Sequence, residues 1–416
     1  MKLARFSGKS PLGFNGRGGQ AHWYLTPHLI LLVSTVIYFI PYFVGHFRYI
    51  APDGRMYDLA YSPQVGWAVA LILLLLGVCA IISEKPSRHV YISPKSDVHI
   101  ESLVLSSLII VMGAFVFFSG KAAIASKQEL LDQTGRWDYS FYLLASFGLI
   151  FSSIAGYRKH LTLFVVSLCG LLFVIYLGHR SSLVIAILGV AYVRFRDRPI
   201  PKLPLKYLVA GVALFFVVSI YKSIYVAIKM QQWDLVSHRL AAENIWASAL
   251  VGMEQFTTFA HLDFVVSDNH RLDCSNAWLA PFTIVPFSDE FLGKFWDVEG
   301  CYYNSQIQPL YFSGYRGGVA ANIWAEFFGY FGYWGFPVLI SVLSGFYWSI
   351  EAIIRRLRSP VLISGMIVAL INMSFYIQRK ELLGAFISGK RAVIVAFCVF
   401  IVAQIVRAFN RKVSVG

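Results

Sequence analysis

Several basic side chains of this 416-residue chain stand in short polar segments between hydrophobic runs, where they could bind a phosphorylated ligand. The short turn 178–182 holds His179 and Arg180. A second polar segment, 378–391, holds the bases Arg379, Lys380, Lys390 and Arg391. Guanidinium groups bind phosphate through paired, charge-assisted hydrogen bonds, and a lipid diphosphate would supply such phosphates. The alternative is that these bases extend to a membrane interface or pair with acids such as Glu381.

Arg316 and Glu326 are two further candidates for chemistry. Arg316 precedes Gly317 and Gly318, and glycines let a ligand approach the backbone closely. The alternative there is a glycine-rich connection with a solvated arginine. Glu326 lies within the apolar run 320–335, where an unpaired carboxylate is costly. It is therefore predicted either to act as a general base or to pair with one of the arginines.

Three histidines, His238, His261 and His270, lie in the long segment 222–335. They are candidate bases or metal ligands, and loop or interface positions are the alternative for each. Their spacing matches no zinc-binding pattern, so the sequence predicts no metal site. No Walker A loop or other nucleotide-binding fingerprint is present, which argues against ATP-driven transport.

The elements that must position these residues are hydrophobic helices. The chain is 57% hydrophobic and 14% charged, whereas a soluble domain is typically about 25% charged. Apolar runs recur along the whole length and predict an all-α polytopic membrane protein with about ten (10–12) transmembrane helices. The net charge of +14 comes from bases at the ends of these runs, so no nucleic-acid partner is expected. The predicted spans are 27–44, 63–82, 100–119, 139–156, 161–177, 181–193, 205–221, 336–354, 361–377 and 392–406.

The distribution of lysine and arginine predicts the orientation of these spans. With the N-terminus in the cytoplasm, the inner segments carry about twice as many bases as the short outer loops. Basic tails at 1–26 and 407–416 are then cytoplasmic. The first seven spans occupy 27–221 and the last three occupy 336–406. The segment 222–335 between them becomes a large extracytoplasmic loop with eleven acids and six bases.

The large loop is predicted to contain helices that lie at the membrane surface. Apolar residues at roughly helical spacing between Ile245 and Val266 predict an amphipathic helix. The apolar run 319–335 is long enough to suggest an eleventh span, but that span would place the following basic cluster outside. We therefore expect a helix near the interface that breaks around Gly332 and Gly335.

The cysteines divide between the spans and the large loop. Cys79, Cys169 and Cys398 fall in apolar spans and are predicted to be packing residues. Cys274 and Cys301 fall in the extracytoplasmic loop, where disulfides persist. The sequence leaves open whether these two form a disulfide or both remain free thiols.

Three segments resemble the Wzy-type O-antigen or repeat-unit polysaccharide polymerases. The segment 177–183, LGHRSSL, resembles the G-x-R turn between two central spans of that family. Gly317 and Gly318, followed by AEFFGYFGYWG at 325–335, resemble the family's glycine-containing lead into a late span. The family's basic outer segment before the last span is matched by Arg379, Lys380 and Arg391. The paired Arg-x(10)-Gly loop motifs of some members are absent, so those assignments are not carried over.

The resemblance implies a GT-C-like glycosyltransferase at the outer face of a bacterial inner membrane. A glycan on undecaprenyl diphosphate would be transferred, with inversion, onto a new lipid-linked repeat unit. The bases that would hold the diphosphates are Arg180, Arg316, Arg379, Lys380 and Arg391. Glu326 or His238 would deprotonate the acceptor hydroxyl, and contacts with substrate would come from His179, Gly317 and Gly318. No cofactor is implied, and the implied partners are lipid-linked oligosaccharide, membrane lipid, a flippase and a chain-length-regulating co-polymerase.

Two other functions fit the same pattern. An O-antigen ligase-like glycosyltransferase would share the topology and the outer arginines but would use another acceptor. A non-enzymatic flippase or transporter of lipid-linked sugars would place charged groups near the middle of several spans. The predicted spans are nearly uncharged at mid-depth, which favours the enzyme.

Overall fold

Helices account for most of the residues that the structure describes. The computed structural model describes residues 24–50, 56–83, 98–119, 137–177, 179–201, 231–241, 254–273, 282, 303–311 and 320–413, together with separate helical residues between 206 and 228. The strands in these ranges are β1 (His46–Ile50) and β2 (Met56–Ala60), which form one antiparallel hairpin.

The helices of the first half follow the predicted apolar runs. They are α1 (Pro27–Tyr38), α2 (Ile40–Val44), α3 (Pro63–Ile82), α4 (Val98–Ser119), α5 (Trp137–Ala155), α6 (Leu161–Tyr176) and α7 (Ser181–Phe195). Local sequence explains where α1 begins, because Pro27 suits the first helical position and the Thr26 hydroxyl accepts a hydrogen bond from the N–H of Leu29. Pro63 likewise occupies the first helical position of α3, after Ser62 in an extended conformation that makes no side-chain cap hydrogen bond.

The helices of the second half are shorter in the loop and long near the C-terminus. They are α8 (Trp233–Leu240), α9 (Glu254–Ser267), α10 (Tyr303–Tyr311), α11 (Ile323–Phe331), α12 (Gly335–Arg356), α13 (Pro360–Ser374) and α14 (Leu382–Val413). Short 3₁₀ turns at Gly332–Trp334 and Tyr376–Arg379 connect α11 to α12 and α13 to α14.

Four of the described helical segments are long and apolar enough to cross a membrane. These are Pro63–Ile82, Val98–Phe118, Ile323–Arg356 and Leu382–Asn410. Helices α1, α5, α6, α7 and α13 are shorter but also apolar. The prediction of a helical membrane protein is confirmed at this level of detail.

Two hydrophobic cores hold the helices together. The first joins α4, α5, α6 and α7 to α13 and the middle of α14, with Leu105, Phe147 and Ile367 among its fully enclosed side chains. The second joins α1, α3, α9, α10, α11 and α12 to the beginning of α14. Nearly every residue of α13 is buried, since this helix packs against both groups.

The predicted break between α11 and α12 is present. Gly332 has a φ of +60°, a conformation that glycine adopts without strain, and it ends α11. At Gly335 a Cβ would collide with the backbone carbonyl of Phe327, so only glycine lets α12 start so close to α11. The guanidinium of Arg271 donates a hydrogen bond to the carbonyl of Phe328 and so pairs one of the last carbonyls of α11.

Three expectations about burial are changed by the structure. Residues 321–329 are all buried, so most of α11 is enclosed by the rest of the protein. In α9, Phe259 and Val266 belong to the second core, because α9 packs against α11 and α3. Of the three cysteines expected to pack in spans, Cys169 and Cys398 are exposed on their helices.

Candidate functional site

Glu326 is held inside the protein by the start of α11. Asn322 caps this helix, since its Oδ1 accepts the N–H groups of Trp324 and Ala325, and its Nδ2 donates to the carbonyl of Thr258 in α9. One turn later, Glu326 is only 4% exposed. Its Oε2 accepts the N–H of Leu382, the first residue of α14, at 2.7 Å. Among the residues that the structure describes, Glu326 has no arginine or lysine at ion-pair distance.

Glu381 lies beside Glu326 and directly precedes α14. Its carboxylate accepts hydrogen bonds from the backbone N–H groups of Tyr303 and Asn304, the first residues of α10. The two carboxylates are close enough to interact electrostatically. Burial raises the pKa of Glu381 to about 7, although these two hydrogen bonds act in the opposite direction and lower it. Its Oε2 is enclosed and accepts no hydrogen bond from any described residue.

Tyr303 and His261 complete what we call the carboxylate cluster, defined as Glu326, Glu381, Tyr303 and His261. The Tyr303 Oη lies 3.1 Å from Nδ1 of His261, and both side chains are fully buried. Burial lowers the pKa of His261 to about 3, so this ring is neutral at ordinary pH. Burial, and then the nearby Glu326, raise the pKa of Tyr303 well above its usual value. The cluster therefore contains two acids and two neutral rings.

Basic residues gather around two tyrosines of α5. The guanidinium of Arg391 lies over the ring of Tyr139, 5.6 Å from its centroid. The buried ring of His179 is 6.5 Å from that of Tyr139 and 4.2 Å from that of Tyr142. Arg180 follows His179, directly precedes the first residue of α7 and is half-buried. We call His179, Arg180 and Arg391 the cation cluster, and its members come from two segments that are about 200 residues apart in sequence.

The beginning of α14 connects the two clusters. Glu381 and Arg391 are separated by ten residues, which is about 15 Å along a helix. The Nζ of Lys380, which directly precedes Glu381, donates to the Oγ of Ser388 at 2.8 Å, and Lys390 is buried. Arg379 lies over the ring of Tyr376, 5.8 Å from its centroid. Acids and bases thus occupy one end of the helix bundle together.

The remaining predicted site residues do not join these clusters in the described parts of the chain. His238 is exposed on α8, and no described residue of α8 belongs to the core that surrounds Glu326. Arg316, Gly317 and Gly318 lie outside the described residues, as do the disulfide candidates Cys274 and Cys301. Within the described ranges, no three His, Cys, Asp or Glu side chains are grouped as metal ligands would be.

Sequence reasoning named Glu381 only as a pairing acid and gave Tyr303 no role in proton chemistry. It left His261 as a candidate base or metal ligand, with a loop or interface position as the alternative. One signal was available for Glu381, because it directly precedes an apolar run, as an acid that caps a helix does. Nothing in the sequence indicates that Tyr303 lies beside Glu381, since their contact joins residues 78 positions apart.

The arrangement combines proton acceptors with anion-binding groups. A carboxylate with a pKa near 7 can accept and release a proton at ordinary pH. Guanidinium groups nearby can neutralise phosphate oxygens. Comparison of the chain with protein-family models, with curated proteins and with solved structures finds no match.

Proposed function

We propose that this protein is a glycosyltransferase that polymerises undecaprenyl-diphosphate-linked oligosaccharide repeat units into an O-antigen type of surface polysaccharide. Transfer takes place, with inversion, at the periplasmic face of a bacterial inner membrane. The observation that carries the proposal is that Glu381 of the carboxylate cluster and Arg391 of the cation cluster lie in one stretch at the start of α14, about 15 Å apart. A sugar transfer from a lipid diphosphate needs both kinds of group.

The proposed topology has ten spans with both termini in the cytoplasm and the large loop 222–335 in the periplasm. The described helices support it, since each of nine predicted spans coincides with a described helix or with the pair α1 and α2. The seventh, at 205–221, contains helical residues wherever the structure describes it. In this orientation both clusters lie at the outer end of the bundle.

In the proposed reaction, an acceptor hydroxyl oxygen attacks the anomeric carbon of the glycan on the donor lipid. The bond from that carbon to the diphosphate oxygen breaks, and the lipid diphosphate leaves with the bonding electron pair. Arg180 and Arg391, assisted by Arg379, Lys380 and Arg316, stabilise the charge that develops on the leaving group. The energy comes from the sugar–diphosphate bond, so the reaction as proposed takes no nucleotide.

The proton of the acceptor hydroxyl passes to the carboxylate cluster. Glu381 is the better placed acceptor, because it is half-buried and one of its oxygens accepts no hydrogen bond from a described residue. Glu326 lies behind it, buried, and its carboxyl group interacts electrostatically with that of Glu381. The pair therefore shares the role first given to Glu326, and exposed His238 is the alternative base.

A reconstitution tests the proposal. The full chain in liposomes would receive the lipid-diphosphate-linked repeat unit alone, and we expect a product ladder at repeat-unit spacing. The Arg180→Ala variant should make little polymer, while Arg407→Ala, at the opposite end of α14, should behave as the unmodified chain. Absence of a ladder from folded protein with the correct substrate would reject polymerisation. A single product after addition of lipid A core would assign a ligase instead.

A further inference from the structure

A polar cavity lies at the other end of the bundle, far from the carboxylate cluster. It has a volume of about 220 Å³ and lies between the start of α1, the end of α3, the end of α7 and the last turns of α12. Its charged lining residues are Arg196, Asp197, Glu351 and Arg355. Along α12, Glu351 is about 24 Å from Gly335, where that helix approaches α11.

The two arginines of the cavity are placed beside one carboxylate without tight pairing. Glu351 Oε1 accepts a short hydrogen bond of 2.7 Å from the hydroxyl of Tyr192, which fixes its position. Nε of Arg196 is 3.8 Å from Oε1, and Nη2 of Arg355 is 3.4 Å from Oε2. Close charged hydrogen bonds are about 2.7–2.9 Å long, and each guanidinium carries five N–H donors. Both arginines therefore keep donors for a phosphate group.

The cavity also offers acceptors for a positive group. Asp197 lines it and forms no ion pair with any residue that the structure describes. Together with Glu351, it balances the charges of Arg196 and Arg355. A ligand with only a negative charge would leave the charge of Asp197 unpaired. A ligand that carries a phosphate and an ammonium group would pair the two arginines with its phosphate and the two carboxylates with its ammonium group.

The rim of the cavity indicates that such a ligand arrives from the membrane. Ile82 and Trp348 line the cavity and are 72% and 68% exposed. Exposed tryptophans are typical of membrane interfaces. The volume of about 220 Å³ is roughly that of seven waters at about 30 Å³ each, which leaves room for a small polar group.

We propose that this cavity binds the head group of a zwitterionic phospholipid. The phosphate lies between Arg196 and Arg355, the ammonium group contacts Asp197 and Glu351, and the acyl chains pass over Ile82 and Trp348. The proposal does not depend on glycosyl transfer, because its readout is lipid binding by the protein at rest.

Native mass spectrometry of the purified full chain, titrated with phosphatidylethanolamine or phosphatidylglycerol, tests the proposal. We expect the unmodified protein to bind phosphatidylethanolamine about tenfold more tightly than phosphatidylglycerol. Asp197→Asn and Arg355→Met should each weaken phosphatidylethanolamine binding about tenfold. Arg356→Met is the matched control, since this exposed neighbour does not line the cavity, and it should bind as the unmodified chain does.

Three results would overturn the proposal. Equal affinity for phosphatidylethanolamine and phosphatidylglycerol, unchanged by Asp197→Asn, would show that the ammonium group does not contact Asp197. Displacement of phosphatidylethanolamine by an equal concentration of inorganic phosphate would assign a free anion site. Undiminished lipid binding by Arg355→Met would place the lipid elsewhere. Weaker lipid binding by Asp197→Asn would not be explained by misfolding, because the Asp197 side chain forms no hydrogen bond or ion pair with another described residue.

Discussion

Two buried glutamates, Glu326 and Glu101, have the same local structure but different neighbours. Each is 4% exposed, and each accepts a backbone N–H at the start of another helix. Glu326 accepts from Leu382 at the beginning of α14, and Glu101 accepts from Val361 at the beginning of α13. A carboxylate at a helix N-terminus is stabilised by the helix dipole and by the unpaired N–H groups there. Helix capping thus explains why both acids are tolerated inside the protein.

The difference lies in what surrounds each cap. Glu101 also accepts the hydroxyl hydrogen of Ser359 at 2.9 Å, a neutral partner that belongs to the same helix start. Glu326 instead faces a second carboxylate, Glu381, and the Tyr303–His261 pair lies nearby. Placing two acids together costs free energy that capping alone does not require. The comparison indicates that the Glu101 region is structural and that the Glu326 region carries the proton chemistry.

The largest expected effect separates the two glutamates by activity. Glutamine keeps a carbonyl oxygen that can accept the N–H of the capped helix, so both Glu326→Gln and Glu101→Gln should fold. We expect Glu326→Gln to slow polymer formation about 100-fold or more, because it removes one member of the proton-accepting pair. Glu101→Gln should stay within about twofold of the unmodified rate. Equal rates for both variants in reconstituted liposomes would show that Glu326 is only a cap.

The next effect tests the basic side of the same region. Arg391→Ala removes the guanidinium that lies over Tyr139, and we expect polymer formation to fall about 10- to 100-fold. Arg391→Lys keeps the positive charge but loses the planar guanidinium group, and it should recover part of the rate of polymer formation. Arg407→Ala, sixteen residues further along α14, is the matched control and should leave the rate unchanged. An Arg391→Ala variant with normal kinetics would exclude this residue from diphosphate binding.

The sequence predicted the local features of this fold and missed the distant contacts. Apolar runs locate α3 to α7, α12 and α13 within a few residues, because hydrophobicity and periodicity are properties of neighbouring positions. Helix α14 begins ten residues before the span predicted at 392–406, within the segment expected to be an outer loop. The break at Gly332 was predictable for the same reason. The contacts of Glu381 with the start of α10, and of Arg391 with Tyr139, join segments that are far apart in the chain. No pattern in one sequence indicates such pairs.

The sequence also did not show that α9 and α11 cover each other. Both α9 and α11 look like helices for a membrane surface, since each is apolar and lies in a polar loop. In the structure they pack against one another, and the amide of Asn322 binds the carbonyl of Thr258 across their interface. This enclosure is what buries Glu326 and His261. The environment that gives the candidate site its chemistry was therefore not predictable, although Glu326 itself was.

A third, smaller effect concerns stability and should be shared by the two glutamates. Glu326→Ala and Glu101→Ala each leave a buried helix N–H without its acceptor, which costs about 2 kcal/mol. We therefore expect a similar fall in the midpoint of thermal unfolding for both variants in the same detergent. Both glutamine variants should show much smaller shifts. A large loss for Glu326→Ala alone would mean that the two caps are not equivalent and would weaken the comparison on which the activity test depends.

The smallest expected effect is a dependence of stability on pH that arises from Glu381. Its pKa in the folded protein is about 7, above the usual 4.5, so between these values the folded state holds a proton that the unfolded state has released. Its contribution to stability is therefore fully present below about pH 4.5 and is lost as the pH rises through about 7. We expect a loss on the order of 1 kcal/mol, because one pKa unit corresponds to about 1.4 kcal/mol and partial exposure screens the effect.

Thermal unfolding of the unmodified chain and of Glu381→Gln between pH 5 and pH 8 measures this contribution. The variant cannot titrate at this position, so its unfolding midpoint should change less over the range. The rate of polymer formation should respond in the opposite sense, rising with pH through about 7 as Glu381 loses its proton and becomes able to accept another. Stability and rate should thus move in opposite directions in one pH window, and both trends should weaken in Glu381→Gln if this carboxylate governs both. The contrary outcome is a rate of polymer formation that rises with pH while Glu381→Gln and the unmodified chain have the same stability profile. That outcome would assign the proton transfer to another group, and exposed His238 would be the next residue to replace.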